Sequence, residues 1–529
     1  MAEANAVAPP GPPGTSAHAG SPGPSASAPS AASGTSAASG TSAASGTSGA
    51  SAASGAPGSS GTSVFAVEQR GIDAVPAEER QGGPSRLLGL WAGTNTTVFT
   101  VVYGALVVSF GLSFWYAVAL IVVGNVLGFA VTGLTSLQGP RTGTSTHSVS
   151  RAAFGPRGGK LPALLSWVML VGFEAGGMVL IVLAGLALLG QAGITATTPV
   201  KVLVIAAAAG LQMLLPLAGY HLIMKVQKYF AWIFAAMFAV MAVLVFPKAD
   251  LAGHGQAPSL VTVSLVLAMV TASGGLSWAD MGSDYSRYLP AGSPPRKVFA
   301  CAALGGMVPN VLLQILGAAV ATATTDAADP VSGLPQILPG WFTTPYLLLA
   351  IVSLLAVNTT DMYSSGLNLL AVGLPVKRWM VVFVDLSLCT GITLWAVFSA
   401  DFYTLLSDFL SLIVLWLAPW AAVYLTDWAL RRGRYDVPSL FPDGTGRKGV
   451  YWHKGGVRPA GLLAVLLGCA AAVLWVDSAV FTGPLSRAAG GLDLSVFAGA
   501  LVAGGVYWLL ARHTVRAEAA TAPVPATVA

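Results

Sequence analysis

Gly93-Thr94-Asn95-Thr96-Thr97 interrupts an apolar run that starts at Leu87 and continues without a charge through Phe114. Inside hydrocarbon a chain must satisfy its own N–H and C=O groups, so a polar, glycine-containing interruption needs protein or water beside it. A second interruption, Ala272-Ser273-Gly274-Gly275-Leu276-Ser277-Trp278-Ala279-Asp280, falls in the sixth apolar segment. Small residues at either place also permit close helix packing. Packing alone does not explain why one break opens the first span and the other falls in the sixth. Two interrupted helices at corresponding places in two five-helix halves predict an inverted-repeat carrier with its site at the bilayer midplane.

Composition supports a membrane chain. Only 9% of the 529 residues are Asp, Glu, Lys or Arg and 54% are hydrophobic, against roughly 25% charged in a soluble domain. Mean hydropathy is +0.72. The charge-free runs Thr97 to Phe114, Trp115 to Leu134 and Val202 to Ala218 approach or reach the roughly 20 residues that a helix needs to cross a bilayer. The net charge of +5 is scattered between apolar segments with no basic groove or tail, so nucleic acid is not an expected partner. Cys301, Cys389 and Cys469 lie inside predicted spans without paired spacing, which predicts neither disulfides nor a zinc site.

Twelve spans are expected, at 88–112, 115–134, 162–190, 200–220, 229–247, 259–282, 298–322, 342–374, 379–398, 403–426, 460–482 and 493–511. With the N-terminus inside, 23 Lys and Arg residues fall on the inner side and three (Lys201, Lys248 and Arg487) on the outer. Cytoplasmic loops retain basic residues, so this asymmetry predicts an even number of spans with both termini cytoplasmic. The domain reading is therefore a disordered Ser/Ala/Gly-rich tail over 1–86, a ten-helix core over 87–428 and a basic cytoplasmic loop over 429–459. Two further helices occupy 460–512, and a disordered tail 513–529. Low-complexity sequence of the first kind buries too little to fold.

Acids inside the spans are the natural functional candidates. Glu174, Asp280, Asp361, Asp385, Asp401 and Asp408 sit in apolar surroundings, and each would cost roughly 2.5–3.5 kcal/mol facing lipid at the bilayer centre. They must face a cavity, a partner or a cation. Glu174 and Asp361 are the deepest, whereas Asp401 reads as a helix cap and Asp385 as a group that could pair within the bundle. Asn358-Thr359-Thr360-Asp361 places three hydrogen-bonding side chains and a carboxylate within about one turn, hard-oxygen chemistry suited to a small cation. The threonine hydroxyls could instead bond back to the preceding turn.

Gly133 to Gly155, with Gln138-Gly139-Pro140-Arg141, Ser150-Arg151 and Phe154-Gly155, and Ser283-Asp284-Tyr285-Ser286-Arg287-Tyr288-Leu289-Pro290 after the sixth span together resemble the nucleobase:cation symporter-1 family of cytosine, purine, allantoin and hydantoin permeases. The resemblance covers about Leu87 to Trp428. It implies an all-α, LeuT-like fold of twelve transmembrane helices, two inverted five-helix repeats plus two C-terminal helices, in the cytoplasmic membrane. It also implies uptake of a planar heterocycle by alternating access, coupled to sodium or protons, with no resident cofactor. Carried over by position, the substrate site would comprise Phe173, Glu174, Gly177, Trp278 and Asp361. Phe173 and Trp278 would stack on the ring. Gly177 stands where the family usually has an amide for the ring's polar edge, a departure that Glu174 could offset. The cation site would comprise the carbonyls of Asn95, Val98 and Ala356 and the hydroxyls of Thr359 and Thr360.

Other classes have less support. The six histidines show no ligand spacing and no Walker A pattern is present, so neither a membrane enzyme nor an ATP-driven pump is expected. An acidic pocket of Glu174 and Asp361 would suit a cationic solute such as a thiamine-like vitamin on the same fold, since fold does not fix substrate.

Overall fold

The computed structural model describes residues 71–218, 220–252, 257–374, 378–399, 402–441, 448–478 and 480–522. Its helices in chain order are α1 (Ser85–Asn95), α2 (Val98–Ser109), α3 (Phe114–Thr135), α4 (Gln138–Thr142), α5 (Thr146–Phe154), α6 (Lys160–Gln191), α7 (Thr198–Ala218), α8 (Tyr220–Val245) and α9 (Leu260–Ser273). After a 3-10 turn over Leu276–Met281 follow α10 (Gly282–Ser286), α11 (Pro295–Ala323), α12 (Gly340–Val372), α13 (Arg378–Ser399), α14 (Phe402–Arg431), α15 (Pro459–Trp475), α16 (Pro484–Ala488) and α17 (Ser495–Thr521). Each of the twelve expected spans coincides with a long helix or a broken pair. Among the described residues, eight helices are long and apolar enough to cross a membrane, and α1 with α2 form a ninth span bent by 64°.

The first break has a local cause. The Asn95 amide turns back to the Trp91 carbonyl (2.9 Å) and the Thr96 hydroxyl to the Ala92 carbonyl (2.6 Å), ending α1. Thr97 then starts α2 as an N-cap, its hydroxyl accepting from the Phe99 N–H at 3.0 Å, the usual role of a threonine before a helix. At the second break the Thr132 hydroxyl donates to the Gly275 carbonyl and Ser277 to the Gly274 carbonyl at 2.8 Å. A Cβ on Gly275 would lie 2.0 Å from the Phe129 nitrogen. Glycine is required there because α3 passes in backbone contact.

Helix pairing repeats between the halves. The broken first span packs on α11 and the broken sixth on α3; α1 packs on α8 as the 3-10 turn does on α14. In the same way α6 packs on α13 and α12 on α7, while α3–α11 and α6–α12 join the halves. Each contact thus has a counterpart related by exchange of the repeats, the arrangement anticipated from the two breaks.

The two signature loops lock together. Asp284 accepts from the backbone N–H (2.8 Å) and hydroxyl (3.0 Å) of Thr146, Ser286 donates to the Ser136 carbonyl at 2.7 Å, and Gly139 leaves room for Ser286 and Arg287. Arg151, 6% exposed, donates to the carbonyls of Ala371 (2.9 Å) and Leu440 (3.1 Å). Beside it His147 is fully buried, its ring 5.1 Å from that of Trp420. Burial and then the Arg151 charge push the His147 pKa down to about 3.

Both terminal boundaries differ from expectation. The segment 1–70 lies outside the described residues, but the proposed disordered tail does not extend to residue 86. Val75 is buried and its N–H reaches the Gly143 carbonyl (2.8 Å), the Gln81 N–H reaches the Tyr288 carbonyl (2.9 Å), and Arg287 holds the Gly71 carbonyl (2.9 Å). Non-local hydrogen bonds order what composition marks as loop. At the other end α17 runs on to Thr521, because Glu518 accepts from Arg431 (2.9 Å) and Arg458 (2.6 Å) while Arg431 also holds Asp427 (2.7 Å). These ion pairs tie α14 and the end of the basic loop to α17.

Two tests follow from packing and burial. A Cβ on Gly317 of α11 would lie 1.9 Å from the Val101 carbonyl oxygen, whereas one on Gly391 meets nothing within 4 Å. Gly317→Val should therefore destabilise by at least about 1–3 kcal/mol and Gly391→Ala should not, as read by thermal unfolding in detergent. Because the folded-state pKa of His147 lies below its ordinary value near 6.5, its contribution to stability is full above that pH. It is lost as pH falls toward 3, and His147→Gln should flatten that acid limb of the stability curve.

Candidate functional site

The two breaks line a single cavity of about 40 Å3. Small-molecule sites usually enclose roughly 300–1,000 Å3, so a one- or two-ring heterocycle could enter only if the surrounding helices move. Phe173 of α6 and Trp278 of the second break both line it, as do Asn95 and Thr97 of the first break and Asp361 of α12. Each of the two aromatics is braced edge-on from behind: Phe173 by Phe409 (centroids 5.4 Å, 79°) and Trp278 by Trp91 (5.6 Å, 66°). Asp361 is 3% exposed. The cavity therefore offers aromatic faces, one carboxylate, and hydroxyl and amide edges, the mixture that orients a small polar ring.

Two expected substrate residues lie elsewhere. Glu174 is fully buried, but it does not line the cavity: its Oε2 faces the Cys389 thiol of α13 at 3.5 Å. Adjacent helical residues project about 100° apart, so a helix that points Phe173 into the cavity turns Glu174 toward the neighbouring helix. Gly177 serves packing, since a Cβ there would come within 2.4 Å of Asn358 Oδ1. The Asn358 amide fills that notch, donating to the Glu174 carbonyl (2.9 Å) and to Gln212 (3.0 Å).

The other acids are likewise partnered. Asp280 accepts from Ser166, and Asp385 accepts from the Trp167 indole (2.7 Å) and Ser365 (2.5 Å), the pairing within the bundle that its sequence left open. Asp401 and the side chain of Asp408 lie outside the described residues.

At the expected cation site, Ala356 and Thr360 come together with Thr94, whose hydroxyl is 3.2 Å from that of Thr360. The amide nitrogen of Gln227, on α8, donates to both the Ala356 carbonyl (2.6 Å) and the Thr360 hydroxyl (3.1 Å). A protein N–H group thus sits where those two oxygens converge. Thr359 bonds back to the Leu355 carbonyl (2.7 Å), and the Asn95 carbonyl accepts from the Thr100 hydroxyl (2.9 Å). The Val98 backbone follows the N-cap at the start of α2.

Sequence reasoning missed the amides. Asn310 donates to Asn95 at 2.6 Å, Gln314 to Asn310 at 3.5 Å and Asn125 to Gln314 at 2.8 Å, a chain from the first break through α11 to α3. The signal was available: Asn125, Gln212, Gln227, Asn310 and Gln314 are polar residues inside otherwise apolar spans, each of which must find a partner there.

Broken helices from two exchanged halves, enclosing a cavity between them, are the architecture of a secondary transporter. The chain belongs to the permease family for cytosine/purines, uracil, thiamine and allantoin, whose model matches residues 74–499. These proteins are carriers, not enzymes. A putative purine-cytosine permease of Bacillus subtilis, YxlA, is 28% identical over 462 residues, 86% of this chain and 98% of the relative. The purine-cytosine permease fcyB of Emericella nidulans is 26% identical over 458 residues, 81% of this chain and 85% of the relative. The fold is also that of Mhp1, a nucleobase-cation-symport-1 family transporter, in its closed conformation with bromovinylhydantoin bound: TM-score 0.68 at 18% identity, covering 86% of this chain and 96% of Mhp1. Its inward-facing conformation gives 0.63 at 16% identity, with the same coverage.

Phe173→Ala and Trp278→Ala should each raise the half-saturating solute concentration at least about 2- to 10-fold, the loss expected for one ring pair. Glu174→Gln should change it less than about twofold, because that carboxylate faces α13. Initial-rate uptake by cells expressing equal amounts of each variant distinguishes these outcomes.

Proposed function

We propose that this permease imports a nucleobase or related planar heterocycle of the cytosine/purine class, together with a cation, by alternating access. The observation that carries the substrate reading is Phe173 and Trp278 lining one cavity with Asp361. Aromatic faces suit a flat ring, while a carboxylate matches ring N–H groups. A site built for such hydrogen bonds rejects analogues that lack them. The names of the similar permeases support the same class, as does the hydantoin, another flat heterocycle, bound by Mhp1.

For the coupling ion, the Gln227 amide favours protons over sodium. A sodium ion between the Ala356 carbonyl and Thr360 hydroxyl would have to displace a donor that already satisfies both. The buried carboxylates of Asp361 and Asp280 offer alternative places for a transported proton. The excess of basic residues in the inner loops supports a cytoplasmic-membrane location with both termini inside.

Proteoliposomes containing the full chain should accumulate labelled cytosine, adenine, hypoxanthine or uracil under an imposed proton gradient. The rate should be unchanged when sodium is replaced by choline. Accumulation driven by a sodium gradient alone would overturn the proton reading and leave the substrate intact. Accumulation of thiamine and no nucleobase would move the solute to a cationic vitamin paired with Asp361.

A further inference from the structure

Outside the central cavity, a groove of about 930 Å3 lies between α14 and α17. Its membrane-level wall is made of small and apolar residues, among them Ala422, Ala500, Leu501, Gly504 and Gly505. Leu501 is 76% and Trp508 41% exposed. At one end the lining changes abruptly to Arg431, Arg432, Arg434 and Arg516. Trp508 stands near the transition with the Arg512 guanidinium 4.4 Å above its ring, the pairing typical of the depth where hydrocarbon meets headgroups. The groove thus has an apolar length and a cationic head at the level where lipids have theirs.

The cationic head has unused donors. Arg432, Arg434 and Arg516 are exposed, and among the described residues no carboxylate pairs with any of them. Arg432 is held at φ 52°, the one non-glycine residue described with a left-handed backbone. Arg431, 1% exposed, is already engaged beneath these exposed arginines: its Nε binds Asp427, its Nη2 binds Glu518 and the Ala152 carbonyl, and its guanidinium lies over the rings of Tyr451 (4.8 Å) and Tyr435 (5.5 Å). The length also fits. Leu501 to Arg516 spans roughly 22 Å along the helix axis, enough for a headgroup plus one leaflet's half of a hydrocarbon core about 30 Å thick.

We propose that this groove binds one anionic glycerophospholipid, its phosphate among the three exposed arginines Arg432, Arg434 and Arg516 and an acyl chain along the wall of small residues. Charge decides against a zwitterionic lipid, whose choline group would face the same guanidiniums. The apolar wall distinguishes a lipid from a free phosphate, which would gain nothing from it.

The test is native mass spectrometry of the full-length protein in neutral detergent, titrated with dioleoyl phosphatidylglycerol, dioleoyl phosphatidylcholine and sn-glycerol 3-phosphate. Phosphatidylglycerol should give one saturable adduct. Arg432→Gln, Arg434→Gln and Arg516→Gln combined should weaken it about 100-fold, from the usual effect of each basic side chain on anionic-lipid binding. A Cβ on Gly505 meets nothing within 4 Å, so Gly505→Leu adds its side chain on the groove side. It should weaken the adduct at least tenfold while leaving every charge in place, and its unfolding midpoint in lipid-free detergent should match the parent's. Unchanged phosphatidylglycerol binding in both variants would overturn the proposal. Equal affinity for sn-glycerol 3-phosphate would make the groove a free-anion site. A lipid-independent dimer abolished by Gly505→Leu would assign it to a second copy of the chain; either result also overturns the lipid reading.

Discussion

Backbone hydrogen-bonding groups cannot be left unsatisfied in a bilayer, and this structure depends on how that constraint is met at two places. Between Asn95 and Thr97, and again from Gly274 to Met281, the helical ladder stops in the middle of a span. Side chains take over: Asn95, Thr96 and Thr97 close the first interruption, and Thr132 and Ser277 close the second. Because these partners come from within the protein, the interrupted backbone must be surrounded by other helices. The site follows from this requirement, since the same breaks leave a largely apolar cavity with a few polar edges, walled by α6, α11 and α12.

The buried amides extend the same principle. Asn125, Gln314, Asn310 and Asn95 form one connected chain across three helices, and Gln227 spans from α8 to α12. Such links are directional, so they constrain how the first break can sit against α11 and α12 more sharply than apolar packing would. They also connect the cavity to the helices that must move for a ring to enter it. Gln227 has the clearest chemical consequence. Its N–H donors occupy two oxygens that would otherwise suit a small cation.

Much of this was legible before folding. The apolar runs and the distribution of Lys and Arg marked the spans, and the paired interruptions marked the inverted halves, because both are consequences of the solvent and act residue by residue. Phe173, Trp278 and Asp361 were identified by position and reach one cavity. Glu174 does not line that cavity, for a simple reason: burial of an acid inside a span says that it needs a partner, not which side of the helix the partner occupies. Gly177 was taken as a missing amide, and it is instead the notch that accepts the amide of Asn358 from across the α6–α12 contact.

The sequence by itself determined that the chain lives in a membrane, where its helices cross and where two of them must break, because hydrophobicity and backbone satisfaction are local properties. The tertiary structure decided which polar groups meet. Only there does Gln227 reach Ala356 and Thr360, Glu174 turn to Cys389, the segment from Gly71 become tied to the signature loops, and Arg431 join α14 to α17. These depend on helix rotation and approach over separations of tens to hundreds of residues, and directional contacts at such range leave no period in the sequence.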